Sequence, residues 1–253
     1  MRFDVITLFP ELLAPFLASG VTRRAFGSGA LDVHLFNPRD FAEGNYRRVD
    51  DRPFGGGPGM VLTPEPLERC LAGVRAQRSD HAPVVLFSPL GRRLDHAMVQ
   101  RWSDSDGAIL LCGRYEGIDQ RFIDAEVDAQ ISLGDFVLSG GEIVAAALLD
   151  AVARLQPGVL TDDASHAQDS FNPALDGLLD CPHYTRPELW RGMAVPPVLL
   201  SGHHALIERW RRDQRLALTA QHRPDLIAAA RAAGRLSPVD EMTLATPAPV
   251  TAP

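Results

Sequence analysis

The chain has 253 residues, 45% of them hydrophobic, with a formal net charge of −7 and three cysteines. That length holds one large domain or two modest ones around a full core, and the acidic balance excludes a protein that coats nucleic acid uniformly. No apolar run reaches the roughly 18 residues that span a bilayer, the N-terminus lacks a basic-then-apolar signal pattern, and Cys70, Cys112 and Cys181 lie too far apart for a disulfide framework or a cysteine zinc site, so a cytoplasmic protein is expected.

In chain order, Phe3 to Phe9 reads as a short buried strand ended by Pro10, with a helix beginning over Glu11 to Leu17. Leu31 to Phe36 is a second strand, closed by Asn37-Pro38. Arg39 to Met60 has no apolar period and is dense in charge and glycine; loops this long inside a compact domain are usually functional or disordered. Its Gly55-Gly56-Gly57-Pro58-Gly59 is no Walker A, for no Lys and Ser or Thr follow it, and it does not directly follow a strand as a dinucleotide fingerprint would. A flexible linker is one reading. Arg47, Arg48, Asp50, Asp51 and Arg52 alongside favour a loop that closes on a ligand.

Pro64 to Val74 predicts an amphipathic helix with proline near its start. Val84 to Phe87 is a buried strand followed by Ser88-Pro89-Leu90-Gly91 as a turn, and Asp95 caps a helix through Trp102. Ala108 to Cys112 is the strand that enters the most informative stretch, Ile109 to Glu142. Here two clusters of small and charged residues stand 20 positions apart, Gly113 to Gly117 and Gly134 to Glu142. Glycine directly after a buried strand means close backbone approach or positive φ. Tight turns would explain any one of them; two clusters, each with an acid, point to a ligand pocket. Between them Gly117 to Ala125 reads as a short helix, with Ala129 to Ser132 and Phe136 to Leu138 as brief extended pieces. Glu142 to Leu155 is a strongly apolar helix stopped by Pro157-Gly158.

Strands alternating with helices predict an α/β fold with a mostly parallel sheet covered on both faces. Ligands of such sheets sit beyond the carboxyl ends of the strands, where Ser88-Pro89, Gly113-Arg114 and Ser132 to Gly134 fall. An ordinary Rossmann enzyme carries its glycines after the first strand, but here that strand meets Phe9-Pro10-Glu11. The pocket is therefore expected in the later half of the sheet.

Thr161 to Pro173 is a polar connector without periodicity. A second unit follows with helices over His204 to Thr219 and Asp225 to Ala233, and the Ala, Pro and Thr rich tail after about Glu241 is expected to be disordered. Every one of the 25 Lys or Arg positions is arginine, which excludes a catalytic or phosphate-loop lysine. Seven of these arginines lie between Arg186 and Arg223 against three acids, so Arg186, Arg191, Arg209, Arg211, Arg212 and Arg215, with Trp190 and Trp210, suit phosphate contact and base stacking. A solvated helix face is the alternative. Adjacent His203 and His204 cannot easily share an ion, and Cys181 and His183 stand apart from other ligands, so no metal site is expected.

Several longer motifs run in order along the chain: Val49 to Met60 (VDDRPFGGGPGM), Leu111 to Asp119 (LCGRYEGID), Ile131 to Glu142 (ISLGDFVLSGGE), Asp150 to Leu160 (DAVARLQPGVL), Asp169-Ser170-Phe171, Tyr184 to Pro187 (YTRP), and Val198 to His204 (VLLSGHH) with Trp210-Arg211. In these the chain resembles the bacterial tRNA (guanine-N1)-methyltransferases of the TrmD type, in the SPOUT (trefoil-knot) superfamily. The resemblance implies a SPOUT methyltransferase domain over 1–160 with a deep trefoil knot, a flexible connector over 161–173, a mainly helical tRNA-binding domain over 174–242 and a disordered tail over 243–253. It implies methyl transfer from S-adenosyl-L-methionine to N1 of guanosine 37 in the tRNA anticodon stem-loop, by an obligate homodimer with shared active sites.

Carried over by position, the donor site would comprise Leu86, Ser88, Pro89, Gly113, Tyr115, Glu116, Ser132, Leu133, Gly134, Phe136, Val137, Leu138, Gly140 and Gly141. Asp169 would be the general base and Arg154 the stabiliser of charge at O6; without the resemblance they read as a loop acid and a cation at a helix C-terminus. The substrate would meet Asp50, Arg52, Gly55, Gly59, Arg114, Ser165, Ser170, Arg186, Arg209 and Arg211. Arg114 could equally pair with Glu116, and Glu116 could balance a sulfonium charge or simply pack in its turn. Magnesium is expected only with bound substrate. Leu90, Phe136 and Val144 replace the glutamine, tyrosine and proline usual in the family, which places the polar contacts expected at the first two in doubt. The alternatives are a SPOUT enzyme for another RNA position and an RNA-binding module without activity.

Overall fold

The structure is a computed structural model that describes residues 1–161 and 166–245. Two compact units divide the chain, Met1–Asp162 and Asp163–Pro253. The first runs β1 (Arg2–Ile6), α1 (Ala14–Leu17), α2 (Arg23–Ser28), β2 (Asp32–Phe36), β3 (Asp50–Asp51), β4 (Val61–Leu62), α3 (Pro64–Arg75), β5 (Val84–Arg93), α4 (His96–Ser103), β6 (Gly107–Leu111), α5 (Gln120–Glu126), β7 (Ala129–Ser132) and α6 (Glu142–Arg154). The second carries β8 (Leu189–Trp190), β9 (Met193–Ala194), α7 (Pro197–Leu200), α8 (His204–His222), α9 (Pro224–Ala232) and α10 (Pro238–Ala245). The described residues thus form an α/β protein with a five-stranded parallel sheet and ten α-helices.

The sheet has strand order β2-β1-β6-β5-β7, and every pairing in it is parallel. Successive side chains leave opposite faces of a strand, so one sequence feeds two cores. Phe3, Val5, Val85, Ala108 and Leu110 meet Leu148, Leu149 and Val152 of α6 on one face. Ile6, Val84, Leu86, Ile109 and Leu111 meet Leu67, Leu71 and Val74 of α3 on the other. With both faces covered, the strands read as nearly continuous apolar runs. Asp4 is the exception, fully buried among them and paired with Arg2 and with Arg78.

Most predicted elements lie where the sequence put them, and Asp95 caps α4 by accepting from Met98 N at 2.7 Å. Five differ. Residues 88–91 do not form a terminal turn: β5 continues to Arg93, with both Phe87 and Arg92 opposite Ile131, so the four residues loop out of a continuing strand. At Gly91 a Cβ would fall 2.4 Å from the Ile131 nitrogen, so only glycine fits. The helix predicted from Gly117 starts at Gln120, because Gly117 has φ 144° and Asp119 is the cap, accepting from Arg121 N at 3.0 Å. Residues 136–138 are no strand. The long charged loop is partly ordered by pairing, with β3 antiparallel to β4. The tail expected from about residue 241 is helical to Ala245, within α10; residues 246–253 lie outside the described residues.

In the second unit, α8, α9 and α10 surround a small core of Leu178, Leu216, Ile227 and Ala230, with Leu236 and Leu244 against it. Of the predicted connector, residues 162–165 lie outside the described residues. His166–Gln168 and Pro173–Leu175 are single 3-10 turns joined by local bonds, such as Phe171 N to the Leu178 carbonyl at 2.9 Å.

Candidate functional site

Beyond the carboxyl ends of β5, β6 and β7 the first unit opens a cavity of about 350 Å³, within the range of small-molecule sites. Three stretches wall it: residues 86–90 from β5, 113–118 after β6, and 131–141 after β7. Gln120, Ile123 and Val144 also line it, and the side chains of Ile118, Ile123, Ile131 and Val144 supply an apolar floor beneath a rim of backbone groups. The fourteen residues expected to bind the donor all line this one cavity.

The glycines explain the shape of the walls. A Cβ on Gly141 would come 2.8 Å from Cys112 Cα, and one on Gly134 would come 2.7 Å from the Phe136 ring. Side chains there would fill the cleft or force the rims apart. Ser132 Oγ bridges its own rim, bonding the Gly134 carbonyl and the Gly134 N–H at 3.2 Å each. Tyr115 is held at φ 60° and is half-exposed, its hydroxyl accepting from Arg39 at 3.4 Å. Non-glycine residues at positive φ cost of order 1 kcal/mol and cluster at functional sites. Of the residues departing from the usual family pattern, Leu90 and Phe136 are exposed on the rim and Val144 is buried in its floor.

The glycine-rich loop meets this rim through its end. Glu116 N donates to the Met60 carbonyl at 3.0 Å, Leu62 N to the Gly117 carbonyl at 2.9 Å, and a Cβ on Gly59 would strike the Glu116 side chain at 2.4 Å. Gly55 and Gly59 have φ near +86° and +80°, and Phe54 between Asp50 and Gly55 is fully exposed. Asp50 is fixed in β3, whereas Arg52 is exposed.

Arg114, expected to meet the substrate or else to pair with Glu116, has a different partner. Its guanidinium pairs with Glu142 at 3.0 Å, not with Glu116, and is largely covered. The chain turns so that Arg114 forms a bridge to Gly140, which points its side chain at the start of α6. Arg154 is the last residue of α6. In the second unit Asp169 follows a 3-10 turn, its N–H donating to the His166 carbonyl at 3.2 Å, and Ser170 Oγ accepts from Asp180 N at 2.9 Å. Ser165 lies outside the described residues.

The basic residues of the second unit divide into two sets. Arg212 pairs with Asp176 and Asp240, and Arg215 with Asp180. Arg215 is buried, so these two are internal struts and not surface clamps. Arg209 pairs with Asp213 and donates to Thr243 Oγ1 at 2.7 Å, and Arg211 pairs with Glu208 at 2.6 Å. Arg186 and Arg191 are exposed, the latter lying 4.8 Å over the Trp190 ring. Trp210 packs edge-on against Tyr184.

Cys181 and His183 are not isolated, as their spacing suggested. Their ligand atoms and one from Asp180 lie within 4.8 Å of one another. That group is already hydrogen-bonded internally: Asp180 takes His183 at 2.8 Å, Cys181 N at 2.7 Å and Arg215 at 3.4 Å. Burial opposes ionisation of Asp180, but these bonds prevail and hold its carboxyl below the usual range. All three cysteines are buried thiols. Burial, then the charge of Asp40, pushes Cys70 up to about 12, and burial, then Glu142, pushes Cys112 well above its ordinary value. No thiolate nucleophile is available to the site.

The protein is of the open parallel-sheet α/β class, with its glycine-walled cavity at the carboxyl edge of the strands, where such sheets hold small ligands. The sequence profile of the family "tRNA (Guanine-1)-methyltransferase TrmD" matches residues 1–229. The chain belongs to that family. It is 74% identical over 249 residues to a tRNA (guanine-N(1)-)-methyltransferase of Paracidovorax citrulli (strain AAC00-1), covering 97% of this chain and 98% of that one. A protein of the same description from Leptothrix cholodnii (strain ATCC 51168 / LMG 8142 / SP-6) is 66% identical over 249 residues, covering 97% and 99%. One from Bordetella pertussis (strain Tohama I / ATCC BAA-589 / NCTC 13251) is 57% identical over 250 residues, covering 97% of each. Among the described residues no helix is long and apolar enough to cross a membrane.

Proposed function

We propose that the protein is a tRNA (guanine-N1)-methyltransferase that uses S-adenosyl-L-methionine and acts at guanosine 37. The observation that carries this is the cavity: one cleft of about 350 Å³, walled by glycines and backbone and floored by Leu86, Ile131 and Val144, in a chain of the TrmD family. Its donor set suits an adenosine with an amino-acid tail, since apolar side chains can take the purine and rim N–H and carbonyl groups its polar edges. When bound, S-adenosyl-L-methionine supplies an electrophilic methyl group on a cationic sulfur. Glu116, on the cavity wall, places a carboxylate that complements that charge.

The remaining chemistry falls to this chain's own residues. Guanine N1 carries a proton that must leave as the methyl is accepted, and Asp169 takes it as general base. Negative charge then grows at O6, and Arg154 supplies a permanent cation for it. Asp50, Arg52, Gly55 and Gly59 belong to the loop that covers the target base. Ser165 and Ser170 belong to the segment that presents Asp169.

In the same reading the fold is a SPOUT trefoil knot, supported by the loop at residues 88–91 that leaves a strand which then continues along β7. The second unit binds the anticodon stem-loop through Arg186, Arg191, Trp190 and Tyr184, with Arg209 and Arg211 flanking. The working form is a cytoplasmic homodimer with shared active sites, consistent with exposed Leu12, Val137 and Ile143 on the donor unit. Magnesium enters as a companion of the tRNA.

The experiment incubates the protein with labelled S-adenosyl-L-methionine and tRNA transcripts carrying guanosine at positions 36 and 37. N1-methylguanosine at position 37 is expected, and its absence sinks the function. Full-rate methylation by Asp169→Asn sinks the mechanism and spares the function.

A further inference from the structure

Glu142 opens α6 and is 1% exposed. A carboxylate at a helix N-terminus is favoured by the dipole, but one so deeply buried needs partners. They come from two other segments of the chain. Thr7, buried just beyond β1, donates its hydroxyl to Glu142 Oε1 at 2.7 Å. Arg114, after β6, donates Nε to the same oxygen at 3.2 Å and places Nη2 3.0 Å from Oε2. Oε2 has no well-aligned hydrogen-bond donor among the described residues, so the guanidinium holds it by charge.

The same guanidinium does more than neutralise. It lies 4.5 Å over the Phe9 ring and donates Nη1 to the Ser139 carbonyl at 3.2 Å. Backbone bonds run parallel to it, with Gly141 N reaching the Gly113 carbonyl at 3.2 Å. A Cβ on Gly140 would lie 2.2 Å from Arg114 Nε and 2.5 Å from Glu142 Oε2, so the pair occupies the space a side chain would take. Three loops from the carboxyl edge, residues 7–9, 113–117 and 139–141, therefore converge on one carboxylate. The last two are walls of the donor cavity. Tyr115, next to Arg114, holds a φ that L side chains rarely adopt, and the anchored arginine fixes the turn that contains it.

We infer that Glu142 and Arg114 form a positioning clamp for the methyl donor, with Thr7 orienting Glu142 and Arg114 holding the two cavity walls at the separation the donor requires. Arg114 is thereby assigned to the frame of the donor site and not to tRNA phosphate. The inference rests on the donor reading of the cavity.

The test measures S-adenosyl-L-methionine binding to the full chain by calorimetry without tRNA, together with thermal unfolding and the separate KM values for donor and tRNA. Glu142→Gln keeps the shape and removes the charge that fixes Arg114; donor Kd rises about tenfold or more, while the KM for tRNA is unchanged. Arg114→Lys keeps the charge and loses the fork, so it reproduces that defect, and the double variant is no worse than either single one. Thr7→Val removes only the orienting hydroxyl and gives a shift of about two- to fivefold; it carries the test should Glu142→Gln fail to fold. A lower melting temperature with wild-type donor affinity in the folded protein overturns the clamp, because a purely structural pair behaves that way. Additive losses in the double variant overturn it too. So does an Arg114→Lys protein whose tRNA KM rises while donor affinity holds. Wild-type protein that binds no S-adenosyl-L-methionine would instead remove the donor reading itself.

Discussion

Replacing Gly141 by alanine isolates what the close approach of backbones contributes to the proposed donor site. Gly141 sits at φ −77° and ψ −9°, a conformation any residue adopts, so the whole cost is steric. The added methyl would lie 2.8 Å from Cys112 Cα, 3.2 Å from Cys112 Cβ and 3.2 Å from Phe87 Cδ2. Neither neighbour can withdraw, since both are buried in the sheet's core. Overpacking of this kind costs about 1–3 kcal/mol, a fall of about 2–12 °C in melting temperature for a unit of this size. The control is Gly113→Ala on the facing wall, whose methyl would have its nearest contacts at 3.8–3.9 Å, to Ile118 and Leu86 side-chain carbons; its stability stays within about 0.5 kcal/mol of wild type. Thermal unfolding by circular dichroism compares the two, and calorimetry follows donor affinity, which Gly141→Ala lowers because the bond from Gly141 N to the Gly113 carbonyl is displaced. Equal melting temperatures for the two variants would refute the steric reasoning.

Asp4→Asn removes one of the two carboxylates that hold the guanidinium of Arg78, 2% exposed, while Asp80 keeps it through two hydrogen bonds of 2.7 Å, and costs about 1–3 kcal/mol; an unchanged urea midpoint would show that Asp80 compensates fully. Burial opposes ionisation of Asp240, yet hydrogen bonds from Arg212 and Ser237 outweigh it and set the group at about 2 against an ordinary 3.8. Its stabilising contribution, about 2 kcal/mol, is therefore complete above pH ~4 and lost as pH falls through about 2, and Asp240→Asn flattens that part of the acid unfolding curve. Arg191→Ala reduces the slope of log K against log salt for tRNA binding by about 1. Arg212→Ala leaves the slope intact and lowers stability instead; equal slopes for both variants would contradict the division of the arginines.

The parts of this fold legible in the sequence are those set by local chemistry. Val84, Val85, Leu86 and Phe87 announce a buried strand by their own side chains, and Asp95 announces a helix start because its carboxylate is the right length to reach Met98 N. The glycine clusters were legible as a pocket because close approach is written in the absence of a side chain. What each glycine approaches was not. Gly91 reads as a turn residue until Ile131 is seen against it, forty positions later in the chain. Arg114 likewise has an acid two residues away in Glu116, yet the bridge to Gly140 directs it to Glu142, 28 residues on. Glu142 reads in the sequence only as the end of the second glycine cluster and the start of an apolar helix; its burial distinguishes it. The last helix was missed because Pro238 to Ala245 has weak amphipathicity and adjoins a Pro and Ala rich tail, while its Asp240 gains its partners only from α8.

The arginines of the second unit show why a charge tally differs from a charge surface. Arg209, Arg212 and Arg215 recur every three residues on α8, a spacing that places side chains on one helix face. That face meets Asp213, Asp176, Asp240 and Asp180, and with Arg211 on Glu208 and Arg223 on Asp225, five of the segment's seven arginines are matched to carboxylates. Such pairs suit a unit whose apolar core is as small as Leu178, Leu216, Ile227 and Ala230, because breaking one strands a poorly solvated charge. In the proposed RNA-binding reading, the basic character is then concentrated on Arg186 and on the β8–β9 turn, where Arg191 already stacks on Trp190. A guanidinium over an indole presents a cation and an aromatic face together, which are the two things that grip phosphate and unstacked base. Affinity for an anticodon loop should therefore depend on this turn more than on the arginine count of the helix behind it.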